Sequence, residues 1–158
     1  MRSSIIKGQG STEYLVLLAM VLVVAMVAIA LLGFFPGLSG DTKKAQSDTY
    51  WKGTARPIAI TDTSATGTKL SLQLKNLGVE TVSMAADSIY ASDGTYTDST
   101  HSAITLTAGE SAAVDITMGS GCTSGKFYEL NVTFTYDVTG GISGAKQTGT
   151  KPLIVVCG

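Results

Sequence analysis

Two patterns of apolar and polar residues divide the chain. From Leu15 to Phe35 nearly every residue is apolar, and no charged residue lies between Glu13 and Asp41. Beyond Asp41 the chain is rich in Thr, Ser, Gly and Asp, with apolar residues spaced among them. The first stretch requires apolar surroundings and the second requires water, so we expect two structural parts.

The apolar run from Leu15 to Phe35 predicts a single long helix. Its 21 residues would span roughly 31 Å at about 1.5 Å per residue, which is enough to cross the hydrocarbon core of a bilayer. The run is apolar on all sides, so it is unlike a surface helix with one face in water. Four interpretations remain: a cleaved secretory signal, a permanent anchor, the buried helix of a globular core, or a helix that crosses a membrane and is later buried in a polymer.

The residues that flank the run favour a retained helix. Arg2 and Lys7 give the N-terminus the positive charge of a signal, but the run is longer than the apolar stretch of an ordinary secretory signal. No clear Ala-x-Ala cleavage site follows it. Since basic residues stay on the cytoplasmic side, the Ser- and Thr-rich remainder is expected outside the cell.

The segment after the run leads into a second type of pattern. Pro36 and Gly37 predict a kink or local break. Helical character resumes from Asp41 to Lys52, where the charged residues have the spacing of an exposed face. Tyr50 and Trp51 are predicted to seat the end of this helix against the next part of the chain, with Trp51 as a packing residue rather than a ligand platform.

From Ile58 onward the pattern is that of β-structure. Lys69 to Lys75 alternates strictly between polar residues and leucine, so its three leucines share one face of a strand. Gly, Asp and Ser clusters supply turns between short strands. The fold class is therefore α+β, a long apolar N-terminal helix followed by an antiparallel, Ig-like sandwich or barrel. Further strands are predicted at 103–107, 113–118, 127–137 and 152–157.

Charge and motifs narrow the function classes. The formal net charge of -1 gives no reason to expect a nucleic-acid partner. The sequence has no GxSxG, no HExxH and no phosphate-binding glycine loop. We therefore predict no enzymatic activity, no catalytic residue, no cofactor and no metal site, and we expect His101 to be an exposed loop residue.

Two cysteines and one sequon belong to the part predicted to be outside. Cys122 and Cys157 are expected to form a disulfide, with two buried thiols as the alternative. Asn131-Val132-Thr133 is an N-glycosylation sequon. It lies in a predicted strand, so Asn131 must point outward for a glycan to be attached.

The residues just before the apolar run resemble a known signal. Lys7-Gly8-Gln9-Gly10-Ser11-Thr12-Glu13-Tyr14-Leu15 is similar to the signal of archaeal type IV pilins with a Gln-x-Ser-x-Glu-Tyr-Leu motif. It is more distantly similar to the signals of bacterial prepilins and archaellins. The resemblance covers about the first 35 residues, and the rest of the chain matches only in general character.

The resemblance implies a processing and assembly scheme. A prepilin peptidase would cut between Gly8 and Gln9, which makes residues 1–8 a leader, 9–53 an assembly helix and 54–158 an extracellular head. Assembly would involve Gln9, Glu13, Tyr14 and Leu15, with Glu13 as the fifth mature residue. The implied partners are identical subunits, the peptidase, the assembly machinery and, before assembly, the cytoplasmic membrane.

Glu13 can be interpreted in two ways from its chemistry. A carboxylate at the edge of a membrane-length helix is costly to bury unless it is paired or protonated. The amino group created at Gln9 could pair with Glu13 of a neighbouring subunit and set the register. Alternatively, Glu13 sits among lipid headgroups, where the helix dipole favours it. Cyclisation of Gln9 to pyroglutamate would remove the amino charge.

These observations predict a pilin, a subunit of an extracellular filament on the cell surface that serves adhesion or surface attachment. The alternative is a membrane-anchored extracellular binding module, or a minor pilin or adhesin, that does not form the bulk of a filament.

Overall fold

The computed structural model describes residues 9–33, 36–94, 97–98 and 100–158. The chain divides into two compact units, one ending at Ser39 and one running from Gly40 to Gly158. Helix α1 spans Gln9–Gly33 in the first unit. Helix α2 spans Pro36–Thr49 and continues as a π-helical turn, Tyr50–Thr54. The predicted kink at Pro36 and Gly37 adjoins residues 34–35, which lie outside the described residues.

The second compact unit, Gly40–Gly158, is called the head unit here and contains α2 from Gly40 onward together with the strands. The predicted division into a leader, an assembly helix ending at Gly53 and a head from residue 54 stays a prediction. Within the head unit, α2 packs on the strands. A Cβ atom at Gly40 would come within 2.7 Å of the Phe127 ring, so a larger residue there would require the ring to move. Ser47 is buried, and its Oγ accepts a hydrogen bond from the N–H of Ile154 at 2.9 Å.

The head contains two antiparallel sheets. The first has the order β1-β2-β7, formed by Ile58–Thr66, Lys69–Asn76 and Ser111–Thr117. The second has the order β5-β4-β8-β3-β6, and β9 and β10 also pair with β8. Its strands are β3 Val82–Met84, β4 Ile89–Ser92, β5 Thr97–Asp98, β6 Ile104–Leu106, β8 Phe127–Val138, β9 Ala145–Thr148 and β10 Leu153–Val156.

The predicted alternation in β2 is confirmed. Leu70, Leu72 and Leu74 are all 0% exposed. In the neighbouring strand β7, Ile116 pairs with Leu70 and Val114 pairs with Leu72, so apolar residues face the same side across the ladder. Because side chains alternate across a strand, this register places one whole face of the sheet in the core.

The core is one hydrophobic cluster formed by residues of both sheets and of the π-helical turn. Trp51 is 1% exposed and makes edge-to-face contacts with Tyr50 and Phe134, with ring centroids 5.1 and 6.2 Å apart. The prediction that Trp51 is a packing residue is confirmed. Its Nε1 has no hydrogen-bond partner in the described part of the chain.

One buried amide side chain connects two strands that belong to different sheets. Gln147 of β9 accepts a hydrogen bond from the N–H of Ile58 at 3.0 Å and donates to the carbonyl of Ile58 at 2.6 Å. Ile58 belongs to the other sheet, so the Gln147 amide links the two sheets through two hydrogen bonds to the backbone of Ile58. Pairing both groups avoids the cost of leaving buried backbone atoms without partners.

Candidate functional site: the apolar helix and the surface of the head

Helix α1 is the most unusual surface of the chain. It has 25 residues, or roughly 37 Å at about 1.5 Å per residue. Its large apolar side chains are exposed, from Tyr14 at 66% to Leu31 at 61%. They point in all directions around the axis, so no single apolar face exists to be covered by a globular core. Burial of this helix therefore requires lipid or other protein chains on every side.

Thr12–Leu31 of α1 is long and apolar enough to cross a membrane, with a mean hydropathy of 3.0. Such a helix near an N-terminus is compatible with a membrane anchor and also with a signal sequence. The structure thus contains an apolar N-terminal helix and a β-rich head. A membrane anchor and a signal sequence are both compatible with that helix.

The residues of the predicted cleavage and assembly site lie at the start of α1. Gly8 is outside the described residues, and Gln9 is the first residue of the helix. Glu13 follows four residues later, is exposed, and is the only charged side chain between Gln9 and Gly33. Tyr14 and Leu15 follow it and are exposed by 66% and 58%. The carboxylate therefore lies within about one turn of the position where a new amino terminus would form.

The two cysteines are paired as a disulfide. Cys122 lies in the loop before β8 and Cys157 lies directly after β10, with Cα atoms 5.9 Å apart. The loop is also held by Tyr128, whose hydroxyl oxygen accepts a hydrogen bond from the N–H of Thr123 at 2.8 Å. This hydrogen bond lowers the pKa of Tyr128 from its ordinary value. The chain end is thus attached to the start of β8.

The sequon lies on the outer side of β8. Asn131 is exposed, and its neighbours Leu130 and Val132 are 6% and 0% exposed. The alternation thus gives Asn131 the orientation that glycan attachment requires. Whether a glycan is attached stays a prediction.

His101 differs from the sequence-based expectation of an exposed loop residue, because it is only 7% exposed. Its Nε2 accepts hydrogen bonds from the N–H groups of Ser88 and Ile89, both at 2.9 Å. Its Nδ1 lies 2.7 Å from the carbonyl of Ser102 and donates to it in the matching tautomer. The ring satisfies backbone groups at the start of β4, which is a structural role.

No cluster suited to a metal ion is found among the described residues. No group of three or more His, Cys, Asp or Glu side chains lies close enough together there to hold one. The small recesses of the head have volumes of about 10 to 360 Å³. The candidate function is placed on α1 because its apolar side chains are exposed.

The comparisons with known proteins leave the chain without an assigned family. No known family model matches it, and no curated protein is similar to it. Proposals about its role must therefore be based on its own residues and on the resemblance of its first residues to a signal.

Acid should weaken the head through carboxylates that accept hydrogen bonds. Asp137 accepts bonds from the hydroxyl of Ser143 and the N–H of Gly144, both at 2.6 Å, and these bonds lower its pKa. A carboxyl whose pKa is lower in the folded state stabilises the fold above its unfolded pKa of about 4. That contribution is lost as the pH falls from about 4 through the folded pKa.

The change that tests this is Asp137→Asn. We expect the wild type to lose thermal stability as the pH is lowered from 5 to 2.5, and the variant to lose less, with melting temperature measured by circular dichroism. Asp62→Asn is the control, because within the described residues the hydrogen bond found for the Asp62 carboxylate is with the adjacent residue Thr63. Equal acid sensitivity of the wild type and Asp137→Asn would contradict the prediction.

Proposed function

We propose that this chain is a structural subunit of an extracellular filament of the type IV pilin superfamily, of the archaeal type. The observation that carries the proposal is α1, Gln9–Gly33, with exposed apolar side chains on all sides and one carboxylate near its start. The resemblance of Gly8 through Leu15 to a prepilin signal supports it.

In this proposal the helix exchanges one apolar environment for another. Processing between Gly8 and Gln9 removes Arg2 and Lys7, the charges that hold the N-terminus at the cytoplasmic face. The helix then leaves lipid for a bundle of identical helices, an exchange that is nearly neutral in hydrophobic free energy. Close packing and register must therefore supply the preference for the polymer.

Glu13 supplies the register. Within an apolar bundle a lone carboxylate is strongly disfavoured unless a partner group reaches it. The amino group of Gln9 on a neighbouring subunit is such a partner, and subunits displaced along the axis would leave both charges unpaired. If Gln9 cyclises to pyroglutamate, Glu13 instead requires a neutral hydrogen-bonding partner.

The head has the external role. We infer that the two sheets form an Ig-like sandwich, carried on the outside of the filament and glycosylated at Asn131. Its disulfide suits an oxidising exterior. Adhesion or surface attachment fits a head that presents surface loops and shallow recesses. A membrane-anchored binding module is the alternative, and a chain that resists shearing from the membrane would favour it.

Processing is tested by the mass of the mature protein. We expect the mature chain to begin at Gln9, with a further loss of ammonia if Gln9 has cyclised. Gly8→Phe should block processing, because a tight peptidase cleft needs a small residue before the cut. A mature N-terminus at any other residue would contradict the assignment.

Assembly is tested by changes at Glu13. We expect Glu13→Ala to leave processing and membrane insertion intact and to lower the yield of sheared filaments by about tenfold or more, since losing one partner of a buried pair is strongly destabilising. Asp41→Ala is the control, because Asp41 is the next charged residue and is exposed. Glu13→Gln distinguishes the partners: it should assemble well only if Gln9 has cyclised. Normal filament yield from Glu13→Ala would remove Glu13 from the mechanism.

A further inference from the structure

The two sheets of the head are joined along one side, at the outer edge of β1. At one end of β1 the N–H of Gly158 donates to the carbonyl of Ala65 at 2.9 Å, and Ala65 forms an isolated bridge with Cys157, directly after β10. At the other end the Gln147 amide binds both backbone groups of Ile58. This edge is therefore covered at both ends by residues of the second sheet or next to it.

The opposite edge of the first sheet, along β7, is uncovered. β7 is the terminal strand of the order β1-β2-β7, and no other described strand pairs with it. Its seven residues pair with β2 in one uninterrupted register. The strand has no proline, no lysine and no bulge, which are features that commonly protect an edge from pairing with another chain.

Two hydrogen bonds, one at each end of this ladder, define the direction of the backbone groups in β7. The N–H of Met118 donates to the carbonyl of Thr68 at 2.7 Å, and the N–H of Asn76 donates to the carbonyl of Glu110 at 2.9 Å. Hydrogen-bonded pairs alternate along an antiparallel ladder, so every second residue between these ends is bonded to β2. Those residues are Ala112, Val114 and Ile116.

Ala113 and Asp115 lie between the bonded pairs, so their N–H and C=O groups point away from β2. No hydrogen bond to these groups is found among the described residues. The two N–H groups are roughly 7 Å apart along the strand, the repeat of two extended residues. Donors and acceptors with this spacing and direction match the backbone of another extended chain.

The charged side chain of β7 does not shield this edge. The carboxylate of Asp115 accepts a hydrogen bond from Ser71 at 2.6 Å and forms an ion pair with Lys69 at 2.9 Å. Both partners belong to β2. The carboxylate is therefore held on the side of β7 that faces β2, away from the free backbone groups.

A groove lies beside the free edge, between β7 and β6. Its volume of about 360 Å³ is within the range of ligand-binding clefts. Val114 of β7 and Ile104 of β6 give it apolar walls, and Val114 is 6% exposed. The lining residues are Ser102, Ala103, Ile104, Ala113, Val114 and Asp115.

The shape of the groove favours a single strand as its occupant. β6 lines the side opposite to β7. A second copy that paired through its own β7 would carry β2 on the far side of that strand, and this further strand would meet β6. A lone extended peptide has no neighbouring strand to accommodate.

We propose that the free edge of β7 binds an extended peptide of a partner protein, which adds a fourth strand to the first sheet. The peptide backbone pairs with Ala113 and Asp115, as in other cases of strand addition to an exposed sheet edge. Because side chains alternate along a strand, one apolar side chain enters the groove between Ile104 and Val114 and its neighbours face water. The site belongs to the head alone, so it does not depend on the filament role.

Amide exchange of the full chain in detergent micelles, followed by NMR, tests the site. The probe is a synthetic peptide with the sequence of β2, Lys69–Asn76, because this sequence already pairs with β7 on its other side. Without peptide, the N–H groups of Ala113 and Asp115 should exchange faster than those of Val114 and Ile116. With peptide, their exchange should slow by about tenfold or more, since exchange requires a hydrogen bond to open.

Variants of the chain separate backbone pairing from other binding. Ala113→Pro removes an N–H that the β2 ladder does not use, a position at which an edge strand tolerates proline. It should weaken peptide binding about tenfold, the order expected for one lost hydrogen bond. Ala113→Ser keeps the N–H and is the matched control. Ala103→Tyr, which fills the groove from the side of β6 and leaves β7 unchanged, should also weaken binding and decides the matter if Ala113→Pro does not fold.

The outcomes distinguish the possible occupants. Absence of peptide binding at millimolar concentration, or equal affinity of the wild type and both weakening variants, would overturn the proposal. Slow exchange of Ala113 and Asp115 without peptide, increasing with protein concentration, would assign the edge to a second copy and also overturn it. Filament yield is measured separately, so each of these results leaves the proposed filament role as it stands.

Discussion

Trp51→Ala is expected to lower the free energy of unfolding of the head by about 3–5 kcal/mol, the range for truncating a large buried aromatic side chain. Trp51 is 1% exposed and contacts Tyr50 and Phe134. It also packs against Gly149 so closely that a Cβ atom there would overlap its ring. The surrounding structure relaxes only partly around a truncated side chain, so a cavity would remain. The measurement is urea unfolding of the full chain in detergent micelles, followed by circular dichroism.

Two variants serve as controls for Trp51→Ala. Trp51→Phe keeps an aromatic ring and removes the Nε1 group, for which the described residues offer no hydrogen-bond partner, so the free energy of unfolding should fall by clearly less. Tyr50→Phe removes only the hydroxyl that accepts a bond from the N–H of Thr150 at 3.1 Å, and it should cost about 1 kcal/mol. An unchanged urea midpoint for Trp51→Ala would show that the indole is not central to the core.

Removing the disulfide is the second large effect that we expect. Cys122 and Cys157 are separated by 35 residues, and closing a loop of that length in the unfolded chain corresponds to roughly 4 kcal/mol of stability. The double variant Cys122→Ala/Cys157→Ala should therefore unfold at a clearly lower urea concentration than the oxidised wild type. Reduced wild-type protein should match the double variant, since both lack the cross-link. Equal urea midpoints for the oxidised wild type and the double variant would contradict this prediction.

The larger elements could be predicted from the sequence because their patterns are long. The uncharged run predicted the apolar helix, and the alternating leucines predicted β2. The predicted strands at 113–118 and 127–137 correspond to β7, Ser111–Thr117, and β8, Phe127–Val138. Individual bounds were not predicted for β1, Ile58–Thr66, although β-structure was expected from Ile58 onward. The other strands without individual predictions, β3, β4, β5 and β9, have two to four residues each, and a pattern over so few residues is hard to distinguish from that of a loop.

The buried polar residues could not be predicted from the sequence for a different reason. His101, Asn76 and Gln147 lie among residues that are common in loops or strand edges, and each pairs with backbone groups distant in sequence. Such pairs form only once the tertiary fold exists, so no local sequence pattern predicts them. The same holds for the close approach of the Phe127 ring to Gly40, since these two residues are far apart in sequence.

Part of the candidate site was predicted from the sequence, because the apolar run that forms it is long. The apolar run and Glu13 are visible in the sequence, and the exposure of α1 agrees with the need for apolar surroundings. The buried position of His101 left no such signal, because the bonds of its ring with Ser88 and Ile89 form only in the folded chain.

The path of α2 along β8 has a mechanical consequence. Gly40 lies against Phe127 at one end of β8, and Trp51 lies against Phe134 further along. Tension applied between Gly40 and the loop beyond Val138 would therefore run along β8, parallel to its ladders with β4, β9 and β10. Hydrogen bonds loaded in this direction share the force and must break together, whereas a peeled strand loses them singly. A head built in this way should bear a pull along its length better than a pull across it.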